Sequence, residues 1–155
     1  MEQLHLPSFA INVREHDGRR QIFDVLRRRY VSLTPEEWVR QHFVHYLSGH
    51  LGYPLTLMGN EVSIRVGNKT LRADTVVYNR ALLPEVIIEY KAPDIPLTQK
   101  VFDQVADYSQ QLHVRCLMLS NGLQHACFFL NKETLTYIPL ENIPTYEALK
   151  RMLSD

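Results

Sequence analysis

The chain is short of the features that mark several protein classes. It has two cysteines in 155 residues, and neither stands near a second cysteine or paired histidines at zinc-finger spacing, so a structural zinc site is excluded. Cys116 and Cys127 lie in apolar surroundings, which reads as buried free thiols in a reducing, cytoplasmic setting rather than a disulfide. No run of about 18 apolar residues occurs, so no spanning helix and no membrane partner are expected. The opening Met1-Glu2-Gln3-Leu4-His5 lacks a cationic segment followed by an apolar run, and a signal peptide is not expected. Net charge is also missing: 17 basic residues offset 17 acidic ones. A whole-molecule positive field is therefore excluded, although a local basic patch is not. There is no internal repeat, no dinucleotide fingerprint and no Ser-His-Asp arrangement.

What is present is ordinary globular material, 45% apolar and 22% charged, in a length that suits one domain over residues 1–155. Residues 1–33 read as an extended lead-in with a hairpin. Ala10–Arg14 and Arg20–Phe23 flank the turn signal Asp17-Gly18. Residues 34–140 carry the core pattern. Thr34-Pro35-Glu36-Glu37 predicts a helix start with a capping box, and Val39, Phe43, Tyr46 and Leu47 recur at helical spacing. Strands are predicted at 62–65, 70–78 and 85–90, a second helix from Thr98 to about Leu112, a strand at 115–120 and a closing hairpin at 126–130 and 135–138. Residues 141–155 hold a short terminal helix from Tyr146 to Leu153. The order implies an α/β or α+β fold around a mixed sheet.

The informative segment is Arg72-Ala73-Asp74-Thr75 followed by Val86-Ile87-Ile88-Glu89-Tyr90-Lys91. Glu89 and Lys91 are two apart on a strand and share a face. A turn centred near residues 81 and 82 would set Asp74 opposite Glu89. Two carboxylates and an ammonium at the end of an apolar strand suit Mg²⁺ or Mn²⁺, with Lys91 beside the ion. The competing reading is a solvated ion-pair surface.

These residues resemble the PD-(D/E)xK nuclease superfamily. Gln104-Val105-Ala106-Asp107-Tyr108 is similar to its Gln-x-x-x-Tyr motif. Thr34–Gln41, Gly52-Tyr53-Pro54, Glu89–Pro93 and Leu119–Gly122 resemble the N-terminal nuclease domain of the type I restriction enzyme R subunit. The resemblance implies a restriction-endonuclease-like mixed sheet flanked by helices and a Mg-dependent DNA endonuclease, with DNA, restriction-modification subunits or a second copy as partners. It implies that Asp74, Glu89 and the Tyr90 carbonyl hold the metal, that Lys91 orients water or neutralises charge, and that Gln104 positions Lys91 or a phosphate. The family's first-helix acid falls on Glu37 or Glu36. For Tyr108, core packing competes with a role at the site. Ala73 replaces the usual proline. No Gly-x-x-x-x-Gly-Lys-Ser/Thr loop occurs, so ATP-driven translocation by this chain is not expected. The alternative is a nucleic-acid-binding or regulatory module that keeps the fold without turnover.

Three further groups stand out. His42 and His45 read as surface histidines for want of a third metal ligand. Trp38 reads as a packing anchor. Arg19, Arg20 and Arg27–Arg29 form the basic cluster, either a solvated face or a phosphate contact.

Overall fold

The computed structural model describes residues 1–155. Three strands, β1 (Val13–His16), β2 (Arg19–Asp24) and β3 (Arg29–Ser32), form a small antiparallel sheet. Asp17 and Gly18 both take positive φ, the geometry a two-residue hairpin turn requires. The third strand was not expected. It begins inside the arginine run and is only four residues long, too short to show alternation.

Helix α1 (Pro35–His50) follows, with the Thr34 hydroxyl accepting the Glu37 N–H at 3.0 Å. The capping box is only half made. The Glu37 carboxylate turns instead to Arg27, Arg40 and Gln41. After α1 come β4 (Met58–Val66), β5 (Lys69–Tyr78), β6 (Pro84–Tyr90), α2 (Gln99–Gln111), β7 (Cys116–Ser120), β8 (His125–Asn131), β9 (Thr136–Leu140) and α3 (Tyr146–Leu153). The strands β4 to β9 lie in sequence order in one mixed sheet, and only β6 and β7 run parallel. The α2 crossover supplies that parallel connection, which a tight turn cannot make.

Strand β6 is interior, and Val86, Ile87 and Ile88 are fully buried, as a strand covered on both faces requires. Val86, Ile88 and Tyr90 pack with Val39, Phe43 and Leu47 of α1 and Leu149 of α3. Ile87 packs on the other face with Val105 of α2, Leu117 and Leu119. Cys116 and Cys127 are free and buried on neighbouring strands, with sulfurs 3.7 Å apart. No helix is long and apolar enough to cross a membrane.

The N-terminal arm is tied across α1. Leu4 is buried over Gly122, where an added Cβ would meet Leu4 Cδ2 at 2.7 Å. The Trp38 indole donates to the Glu2 carbonyl, and Phe9 stacks on His45 and meets His42 edge-on. This corrects the surface reading of His42: the ring is buried, and its Nδ1 faces the Trp38 carbonyl.

Candidate active site

The chemistry lies where β6 ends beside β5, while the β4–β5 hairpin runs on past it. Thr75 pairs with Ile88, so Asp74 stands opposite Glu89 one step further on. On the other side, Asn60 pairs with Thr75 and Val62 with Ala73, so Glu61 stands opposite Asp74. Glu61 takes φ of 54°, a left-handed conformation uncommon for a non-glycine residue inside a strand. Three carboxylates therefore sit abreast on three neighbouring strands.

The three are treated differently. Glu61 accepts from Arg40 at 2.7 Å and lies 3.1 Å from Arg72. Asp74 accepts the Tyr90 N–H at 2.9 Å, the first β6 donor beyond the end of the ladder. Glu89 accepts from the Tyr108 hydroxyl at 3.3 Å. Asp74 and Glu89 are close enough for each carboxyl to act on the other's titration. Burial first, and then the Asp74 charge, push Glu89 up to about 8, while Lys91 pulls the other way. Burial raises Asp74 as well, opposed by the Tyr90 N–H and Arg40. The pair holds one proton near neutral pH, where two ordinary carboxyls would hold none.

A shared proton and a divalent cation relieve the same repulsion, so this donor set fits a hard ion that takes one or two carboxylates and completes its shell with water. No third Asp, Glu, His or Cys stands at metal-holding distance from the pair. The Tyr90 contacts at the pair are its N–H on Asp74 and its hydroxyl, which donates to Thr75 at 2.9 Å.

The remaining expected residues are placed as follows. Lys91 is half-buried just past β6, its N–H on the Ser120 carbonyl, and its ammonium makes no ion pair within 4.0 Å. Tyr108 reaches from α2 to Glu89, so packing does not account for its hydroxyl. Gln104, one turn earlier, is exposed and makes no side-chain hydrogen bond, so it does not hold Lys91 in the free chain. Glu36 is exposed at the rim of the cleft, whereas Glu37 is buried and held by two arginines; both line the cleft that holds Asp74.

Several residues that shape the site were not anticipated. Arg40 is buried. It donates to the Asp74 carbonyl at 2.8 Å and to Glu61, and lies 3.2 Å from Glu37. Behind it runs a buried polar chain. The Tyr90 hydroxyl donates to Thr75, Thr75 to Asn60 at 2.6 Å, and Asn60 to Asp24 at 3.0 Å. Burial would raise Asp24, but Arg27, Asn60 and two backbone donors outweigh it and hold its pKa below the usual value. Arg27, read as part of the basic cluster, is instead an ion-paired strut between Asp24 and Glu37. The signal for Arg40 was its place one turn after Glu37. Asn60 and Glu61 precede the alternating part of β4 and carried no signal.

These groups enclose a cleft of about 420 Å³, lined by Val31 and Ser32 of the small sheet, Glu37 and Arg40 of α1, and Asp74 and Glu89 of the large sheet.

The class defined here is an α+β domain whose buried central strand ends on a proton-sharing acid pair followed by a lysine. Residues 35–144 match the family model described as type I restriction enzyme R protein N terminus (HSDR_N), and the chain belongs to that family. A chain described as the fragment structure of an HsdR subunit of a type I restriction enzyme from Vibrio vulnificus YJ016 is similar in fold, with a TM-score of 0.55 and 21% identity over 78% of this chain. The match spans 25% of that longer chain. No curated protein matches.

The acid pair carries a pH signature with an unusual sign. Glu89 keeps its proton to about 8 when folded and loses it near its ordinary value when unfolded. Between those values the folded state binds more protons, so stability falls as pH rises. His42, His45 and His125 are shifted down by burial and act in the opposite sense below about 6.5. The window from pH 6.5 to 8 therefore isolates the acid pair. In EDTA, wild type should lose melting temperature across that window, at up to about 1.4 kcal/mol per pH unit. Glu89→Gln should flatten the slope; an unchanged slope would contradict the shared proton.

Proposed function

We propose that this chain is a divalent-metal-dependent DNA endonuclease domain, acting on phosphodiester bonds as part of a restriction system with partner subunits or as a second copy of itself. The observation that carries this reading is the Asp74–Glu89 pair, two half-buried carboxylates opposed across β5 and β6 and followed by Lys91. Asp74 and Glu89 would hold Mg²⁺ or Mn²⁺. Bound there, the ion supplies Lewis-acid polarisation of the phosphate and lowers the pKa of a water.

The chain's own residues do the rest. The Tyr90 N–H holds Asp74 in its rotamer, and the Tyr108 hydroxyl does the same for Glu89. Lys91, unpaired and next to Glu89, is free to approach a phosphate oxygen or orient the attacking water. Water oxygen bonds to phosphorus as the bond to the leaving sugar oxygen breaks, and that oxygen ends protonated. The family membership supports DNA as the substrate.

Metal binding is testable without turnover. Mg²⁺ or Mn²⁺ should raise the melting temperature, because a ligand that binds only the folded state stabilises it by mass action. Asp74→Asn should remove most of that rise. Equal shifts in wild type and Asp74→Asn would rule out this pair as the metal site. Cleavage of single- and double-stranded DNA under either ion tests the reaction itself. A purified protein that binds DNA and never cuts it would leave the non-catalytic binding module as the better reading.

A further inference from the structure

The hairpin formed by β1 and β2 has no use in the core. All four β1 residues are exposed, as are Arg19 and Arg20 at the start of β2. Strand β1 pairs with β2 alone, leaving its outer edge open. Toward the Asp17-Gly18 turn, past the Gln21–Ser32 pair, only β1 and β2 remain, and such a two-stranded ribbon in water is marginally stable by itself. Here its base is anchored by Ile22, fully buried, and by the Asp24–Arg27–Glu37 bridge. The tip is thus a rigid ribbon projecting from the wall of the cleft that holds Asp74 and Glu89.

Its charge is one-sided. Arg14, Arg19 and Arg20 are exposed along it, and Arg28 and Arg29 at the neighbouring β2–β3 turn, against Glu15 and Asp17. The side chains of Arg19, Arg20, Arg28 and Arg29 make no ion pair or hydrogen bond within the chain. Arg14 is preorganised, stacked 3.9 Å over the Tyr30 ring and bonded to Gln21 at 2.9 Å. The whole chain has no net charge, so this concentration is local and leaves the remainder acidic.

From this ribbon we infer a duplex-DNA arm: the β1–β2 hairpin enters a groove of the DNA and its arginines neutralise phosphates beside the acid-pair cleft. A two-stranded ribbon fits the major groove. The exposed strand β1, Val13 to His16, runs about 10 Å at ~3.3 Å per residue, and duplex rises ~3.4 Å per base pair. The arm therefore covers about three base pairs, with Arg19 and Arg20 between the turn and the Gln21–Ser32 pair at the cleft wall. Val31 and Ser32 of β3 line the same cleft as Asp74 and Glu89, so DNA held on the ribbon is continuous with the acid pair. The inference rests on the reading of this chain as one that acts on DNA, and it lies outside residues 35–144, where the family model matches.

The test is binding of the full chain to a labelled 20-base-pair duplex in EDTA, followed by anisotropy across a salt series. Arg19→Gln with Arg20→Gln should weaken binding and lower the slope of log affinity against log salt by roughly one per arginine. The melting temperature should not move, since both side chains are exposed. Glu15→Gln with Asp17→Asn should tighten binding. An arginine variant with wild-type slope overturns the arm, as does a wild type that binds no duplex. So does a variant that binds DNA normally but loses self-association, which would make the open β1 edge a contact between copies. If wild type cuts while the arginine variant binds normally, the arm fails and the nuclease stands. If the arginines govern binding and nothing is cut, the arm stands and the nuclease fails.

Discussion

Replacing Lys91 with alanine should abolish divalent-dependent DNA cleavage, with a loss of about 10²–10⁴-fold, while the fold survives. Lys91 lies just beyond β6, half-buried, and no carboxylate is within 4.0 Å of its ammonium, so its removal breaks no ion pair. Its charge does act on Glu89, drawing that carboxyl downward against burial and Asp74. Alanine therefore raises Glu89 further in the free chain and removes one positive charge that would oppose a cation at the acid pair. Divalent binding, read by thermal shift near pH 8.5, should be kept or tightened as turnover disappears. A lysine that only balances charge would give the opposite pattern: weaker folding without the lysine, and cleavage in proportion to the protein that remains folded. Equal cutting by Lys91→Ala and wild type, in a preparation free of contaminating nuclease, would end the catalytic assignment.

The second large effect falls on stability. Arg40→Ala should lower the melting temperature by roughly 6–20 °C, because removing one partner of a buried ionic cluster costs about 3–5 kcal/mol and a chain of this size shifts ~2–4 °C per kcal/mol. Two acceptors lose their donor at once, the Asp74 carbonyl and Glu61, and Glu37 loses an ion-pair partner. Glu37 keeps Arg27 and Gln41, and Glu61 keeps Arg72, so the loss falls hardest on the Asp74 backbone. Arg40→Lys should recover only part of the loss, since an ammonium cannot fork between the Asp74 carbonyl and Glu61 as the guanidinium does. Thermal unfolding of the two variants side by side decides the matter; a drop under about 2 °C for alanine would mean that the cluster is not what holds β5 at this edge.

Arg40 also shows where a one-dimensional reading ends. The sequence by itself determined the elements whose signals are local. Thr34 and Thr98 cap helices at the expected positions, because a hydroxyl one residue before a helix needs only its own next turn. Val86–Ile88 marks the buried central strand, since three successive β-branched residues have no solvated face to offer. Even the opposition of Asp74 and Glu89 was legible, because a hairpin's register follows from its turn.

The tertiary structure alone decided which polar groups meet across long separations. Asp24, Asn60, Thr75 and Tyr90 form one buried chain although they come from strands of two sheets. Glu37 is taken up by Arg27 and Arg40 instead of its own helix end, and Tyr108 turns from the α2 packing face to reach Glu89. No periodicity encodes such pairings. A polar residue at a given spacing is equally compatible with water or with a partner, and only the packing that removes the water forces each buried group to find one.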